Sequence, residues 1–144
     1  MGKKRIVKKS EGEENAAAAG RTSARQPKKH ISSGTLHVQS TYNNTKLLLT
    51  DKEGNAIFWS SSGSIGFKGA KKGTPFAAAK VGELIGDKAQ QAGIKEVDVV
   101  VRGVGSGREA GIRAFISKGI ELSNIKDRTP IPHNGPKAKK PRNV

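Results

Sequence analysis

Apolar residues recur with a regular period only between residues 34 and 128 of this 144-residue chain, and the segments on either side are basic and nearly devoid of core-forming side chains. A segment without apolar surface to bury cannot offset the entropy lost on ordering its backbone. The sequence therefore divides into a basic arm (1–33), expected to be disordered until bound, an α/β core (34–128), and a basic tail (129–144) expected to be extended. The arm carries nine Lys/Arg and three Glu, the core fourteen Lys/Arg and nine acids, and the tail four cations and no acid.

The formal charge of +15 would hinder compaction unless a polyanion neutralised it, and nucleic acid is the first candidate. No apolar run is long enough for a bilayer span or a signal-peptide core, so a soluble, intracellular protein is expected. The absence of cysteine removes disulfides, thiolate chemistry and cysteine-ligated zinc together.

Within the core, TLHVQST (35–41) alternates, and Tyr42-Asn43-Asn44-Thr45 supplies turn chemistry into KLLLT. A second turn, DKEGN, leads into AIFWSS, giving three strands in a meander. Strict alternation places Ile57 and Trp59 on one face and Phe58 on the other, which predicts helices on both faces of the sheet. Thr74-Pro75 reads as an N-cap followed by proline at the first helical position, and Gly93 as the stop of a helix reaching Ala92. Its inner stripe is expected to be Ala77, Val81, Leu84, Ile85 and Ala92. EVDVVVR is a buried strand by its β-branched content, REAGIRAFISKG a short helix ended by Gly119, and ELSNIKD a last strand.

Two glycine-rich stretches join these elements. SSGSIGFKGAKKGTP (61–75) places Lys68, Lys71 and Lys72 among small residues ahead of a helix, and GVGSGRE (103–109) lies between a buried strand and a helix. Glycines let a backbone approach a phosphate, and the N–H groups of the following helix favour an anion. They also serve tight connections, and glycine content alone does not separate the two readings. Arg108, behind three glycines at a helix start, is positioned to offer its fork to a phosphate.

The enzymatic readings are weaker. GVGSG runs G-x-G-x-G, and a P-loop would need G-K-[ST] where Arg108 stands. A metal-dependent nuclease is the remaining rival, because a mixed sheet can hold carboxylates for two cations. However, Asp51, Glu53, Glu83, Asp87, Glu96, Asp98 and Glu109 all have ordinary readings as solvated charges or ion pairs. His30, His37 and His133 are scattered over a tail, a strand and the other tail, which supports neither a metal site nor a Ser-His-Asp arrangement. No cofactor, metal or small-molecule substrate is expected.

NNT followed by D-x-x-GNA, then GFKGAKKGTPFAA, GRE with IRA after it, and TPIPHNG near the end together resemble the bacterial form of small-subunit ribosomal protein S-eleven. The resemblance covers Gly34 to about Gly135 and continues into the basic end. Two departures stand out: Val104 and Ser106 occupy positions where the family usually has prolines, which implies a more flexible loop, and Gly73 stands where Ser is common. The resemblance implies a ribonuclease-H-like three-layer fold with a mixed five-stranded sheet and no active site. It implies a cytoplasmic, ribosome-bound structural protein of the platform that binds the central and 3′ regions of small-subunit (16S) rRNA. Its implied neighbours are proteins six, eighteen, twenty-one and seven and the duplex of messenger leader and rRNA 3′ end at the exit-site cleft. The implied rRNA-facing residues are Asn43, Asn44 and Thr45; Lys68, Lys71 and Lys72; Gly103, Gly105, Gly107 and Arg108; and Arg128, His133, Asn134, Lys137, Lys139, Lys140 and Arg142.

The tail suits that role physically. Pro130 and Pro132 bias it towards extended backbone and withhold two donors, so it resists folding back while its four cations meet phosphates. Phe67, between Gly66 and Lys68, has two readings, a base-stacking ring and a core plug, with the plug favoured. Asn134-Gly135 is open to succinimide formation, because glycine leaves the following amide nitrogen free to attack the Asn side chain. Peptide mapping of aged free protein should find isoaspartate at Asn134 before any other Asn; an unmodified Asn134 after prolonged incubation would contradict this.

Overall fold

The computed structural model describes residues 30–143; the expected disorder of the arm falls almost wholly on residues 1–29, outside the described residues. Strand β1 (Ser33–Ser40) pairs antiparallel with β2 (Thr45–Asp51), and β2 antiparallel with β3 (Ala56–Ser61). The first turn closes on itself: the Thr41 amide donates to the Asn44 carbonyl at 2.8 Å, and the Thr41 hydroxyl accepts from the Asn44 amide at 3.1 Å. In the second, the Asp51 carboxylate accepts from the Asn55 amide at 2.8 Å. A short helix α1 (Ser62–Ile65) and a 3-10 turn (Gly69–Gly73) precede helix α2 (Pro75–Ala92). Strand β4 (Glu96–Arg102), helix α3 (Gly107–Ile116) and strand β5 (Glu121–Asp127) complete a mixed sheet of order β3-β2-β1-β4-β5, with β4 parallel to both β1 and β5.

The caps read from the sequence are present. The Thr74 hydroxyl accepts from the Ala77 amide at 3.3 Å with Pro75 at the first helical position, and Gly93 ends α2 at φ 83°. Leu36, Val38, Leu47, Leu49, Val97, Val99 and Val101 project from one face of the sheet and meet Val81 and Ile85 of α2 and Phe115 of α3. All ten are essentially inaccessible to solvent.

Helices on both faces, as expected from the sequence, are not what the described residues show: α2 and α3 both cover the same face. The connections explain this. From β3 to β4 and from β4 to β5 the chain moves in the same direction across the sheet between parallel strands, and right-handed crossovers taken in one direction land on one side. The strand alternation is corrected too. The β2–β3 pairing shifts register between Leu49 and Thr50, so that Thr50 faces Ala56 and Phe58 faces Leu49. Ile57 drops out of the ladder at this bulge, and both Ile57 and Phe58 pack against the core while Trp59 is 65% exposed on the open face. Leu84 is part-exposed rather than on the inner stripe, which Gly82, Gly86 and Ala89 occupy because α3 lies close over α2.

That close crossing generates a prediction. A Cβ on Gly82 would collide with the Gly111 carbonyl, whereas a Cβ on Gly111 would find its nearest atoms at 3.6 Å, an ordinary contact. Gly82→Ala should lower stability by about 1–3 kcal/mol through forced separation of the helices. Gly111→Ala should leave it unchanged or raise it by roughly 0.5–1 kcal/mol through reduced entropy of the unfolded chain. Denaturant midpoints of the two variants check the contrast.

Candidate nucleic-acid interface

Strands β1, β3, β4 and β5 run one way and β2 the other, so Ser40, Ser61, Arg102 and Asp127 end their strands at the same rim where Thr45 begins its own. Helices α2 and α3 both start from this rim. It gathers the β1–β2 turn, the Gly66–Gly73 segment, the Gly103–Gly107 segment and the root of the tail.

These segments are held by contact of backbone on backbone. A Cβ on Gly73 would strike the Tyr42 carbonyl, and one on Gly105 the Thr41 carbonyl. Gly103 lies near the Ser40 carbonyl at φ 99°, a left-handed conformation that side chains rarely adopt. The Gly105 amide donates to the Ser40 carbonyl at 3.0 Å, and the Ser106 hydroxyl to the Gly73 carbonyl at 2.7 Å. These contacts act against the flexibility expected of this loop. Two of the three positions that depart from the resembled pattern, Ser106 and Gly73, bond to each other and tie the loops together.

The site residues expected from the sequence occupy three situations. Asn43, Lys68, Lys71 and Arg128 are exposed, as are His133, Asn134, Lys137, Lys139, Lys140 and Arg142 on the tail. Asn44, Lys72, Gly103 and Arg108 are half-buried. Thr45, Gly105 and Gly107 are buried; Thr45 presents its hydroxyl to that of Ser40 at 3.4 Å and positions the turn instead of meeting solvent. The Asn44 side-chain oxygen is buried without a hydrogen-bond partner among the described residues. Phe67 does not plug the core: it is half-buried, edge-to-face with the exposed Phe76 at 6.0 Å between ring centres.

The Arg108 fork is already engaged. One terminal nitrogen donates to the Gly103 carbonyl at 2.8 Å and the other to the Asp127 carboxylate at 2.6 Å. Asp127 also accepts from the Thr129 hydroxyl at 2.6 Å and the Thr129 amide at 2.9 Å, while the Thr129 hydroxyl accepts from the Gly103 amide at 3.2 Å. Arg108 therefore braces the loop against the end of β5. The tail leaves the rim from this anchor, and residues 130–143 are exposed throughout, with Asn134 at φ 60°. Asp127 and Thr129 were absent from the sequence-derived set; the Asp-x-Thr spacing is a local turn signal that identifies them only once Arg108 is known to lie alongside.

Among the described residues, three carboxylates outside this cluster meet cations. Glu83 meets Lys80 at 3.1 Å, Asp87 meets Lys118 at 2.9 Å, and Glu109 faces Arg113 at 3.8 Å. The Thr129 hydroxyl, the Arg108 fork and the Thr129 amide together hold the Asp127 carboxyl well below the usual carboxylate range. A depressed folded-state pKa contributes stability above the unfolded value, about 3.9 for Asp, and loses it as pH falls below that value. Asp127→Asn should therefore lower the melting temperature at pH 7, and the difference from the parent protein should shrink steadily below about pH 4. A constant difference across a pH series would show that the carboxylate's charge is not what secures the tail root.

A family model described as Ribosomal protein S11 matches residues 34–143, which takes in the core and the tail down to its last cation. Its members are structural proteins of the small ribosomal subunit, acting in translation as part of a ribonucleoprotein, and not enzymes. With the match extending over well more than half of the sequence, the chain belongs to the ribosomal protein S11 family.

Proposed function

We propose that this protein is an rRNA-binding constituent of the small-subunit platform, seated on the central and 3′ regions of 16S rRNA through the strand-end rim and the basic tail. The observation that carries this reading is the convergence at one rim of two helix N-termini, three loops in contact with one another, one of which bears Lys68, Lys71 and Lys72, and the root of a four-cation tail. Helix N-termini and free loop amides favour anions, and lysines around them supply counter-charge for phosphates. The strand order, with its parallel and antiparallel pairs, supports a ribonuclease-H-like arrangement of the core. In this reading the protein is of bacterial type, cytoplasmic when ribosome-bound, and borders the exit-site cleft that holds the messenger leader duplex. Platform proteins six, eighteen, twenty-one and seven are its neighbours.

The division of labour follows from the geometry. Duplex RNA offers little sequence information to side chains, so discrimination falls to shape, and a rigid rim reads shape. An exposed cationic strip adds affinity by releasing counterions without reading sequence.

The test separates the two parts. Deleting residues 130–144 removes Lys137, Lys139, Lys140 and Arg142 while keeping Thr129, which secures the Gly103 loop. The slope of log affinity against log salt should fall by roughly 3–4 in magnitude, and the effect should shrink at high salt. Preference for platform RNA over an unrelated duplex should survive. An unchanged slope would mean that the tail is not on phosphate, and lost preference with an unchanged slope would mean that it reads shape or bases itself.

A further inference from the structure

The face of the sheet opposite the helices presents an aromatic and apolar row that the rim does not use. Across the strands, Trp59 pairs with Leu48, Leu48 with His37, and His37 with Val100, so these four side chains stand side by side on the open face. They line a shallow cleft of about 420 Å³, and Trp59 is 65% exposed within it. One step along the strands towards the rim, the same face carries Lys46 and Arg102, both exposed. Among the described residues no acid lines this cleft. Asp51, Glu53 and Asp98, together with Lys52, Lys126 and Arg128, line a neighbouring cleft that shares His37 and Val100 with this one, and Asp51 and Asp98 lie on the side away from the rim.

We propose that this face binds an unpaired segment of RNA, one base stacking on Trp59 with its flanking phosphates on Lys46 and Arg102. The proposal rests on the rRNA-binding reading above and extends it to a second surface continuous with the rim. Three observations select this occupant. The first is charge: Lys46 and Arg102 lie two strands apart, about 10 Å, a separation that suits successive phosphates better than one shared anion. The second is the exposed indole, a flat ring on a sheet, which is how sheet-based RNA modules hold splayed bases. The third is polarity along the strands: a chain passing from the Lys68–Lys72 loops over the rim reaches Lys46 and Arg102 first and Trp59 next, and stops short of the acids. A duplex would not serve, because its base faces are hidden in the stack.

Trp59 is the chain's sole tryptophan, so its fluorescence reports on this face alone. Full-length protein is titrated with an end-labelled oligouridylate, and tryptophan emission and label anisotropy are followed together. Quenching should saturate at the midpoint given by anisotropy, whereas a short RNA duplex should bind with little quenching. Trp59→Ala should weaken oligouridylate binding about tenfold with an unchanged melting temperature, and Trp59→Phe should keep most of the affinity. The double variant Lys46→Ala, Arg102→Ala should reduce both quenching and affinity, and it decides the matter independently if Trp59→Ala proves unstable. Binding by anisotropy with neither quenching nor sensitivity to these variants would overturn the proposal while leaving the rim as the RNA site. Failure of both RNAs to bind at low salt would overturn the rRNA-binding reading as well. Equal quenching by polyglutamate would assign the face to an acidic protein segment and overturn the proposal.

Discussion

The contact between the Gly103–Gly107 segment and the end of β1 is made by main chain on main chain, and the arrangement of the rim depends on it. The Gly105 amide reaches the Ser40 carbonyl at 3.0 Å only because no Cβ stands between the loop and Thr41. Gly73 meets the other side of the same turn at Tyr42, and the Ser106 hydroxyl bridges the two loops. A side chain at either glycine would push the loops apart, and with them Lys68, Lys71 and Lys72 on one side and the root of the tail on the other. Glycine content alone left two functions open, tight connection and phosphate cradle. The geometry shows the first, and under the proposed function it is the condition for the second, since the loops must touch each other before their amides and lysines can face one ligand.

Gathering cations in this way is unfavourable for the isolated fold, and the structure answers it locally. Arg108 is half-buried among the loops, as is Lys72, and it is neutralised at close range by Asp127 at 2.6 Å. Lys68 and Lys71 stay exposed, where solvent and salt screen them. The pattern separates the two tasks of positive charge. A cation that braces the scaffold has a carboxylate of its own, and those left for a ligand remain in water, where their desolvation is deferred until a phosphate replaces it.

Elements were legible in the sequence wherever a local rule governs them. The Thr74 cap, Pro75 at the helix start, the Gly93 stop, the alternation of β1 and the β-branched run of β4 each depend on a few adjacent residues, and each is found where expected; α3 ends earlier than its expected Gly119 stop, at Ile116. What failed to show depends on partners far along the chain. The Ile57 bulge is set by the pairing of β3 with β2, the single helical layer by the direction of two crossovers, and the engagement of Arg108 by an aspartate that lies nineteen residues later in sequence. The turn, both loops and the tail root named from the resemblance meet at one rim, although Thr45, Gly105 and Gly107 within that set are buried beneath it. Trp59 escaped for a related reason: strict alternation paired it with Ile57 as core, and only the bulge separates the two.

The two helices on one face leave the other face of the sheet to find its own terms with solvent, and its composition records how. Along β1 and β2 the outward positions include Thr35, His37, Gln39, Lys46 and Leu48, polar for the most part, as an antiparallel sheet facing water requires. Exposed aromatic surface interrupts that rule where Trp59 stands beside Leu48, and there the nearest ionic groups along the strands are cations. On its side towards the strand-end rim the patch is bordered by the cations Lys46 and Arg102, and there like charges would oppose association with a copy of itself. The same border favours a ligand that brings both a flat ring and negative charge. Solubility of the free chain and affinity for a polyanion are thus served by the same few residues, and the open face needs no third helix to be tolerated in water.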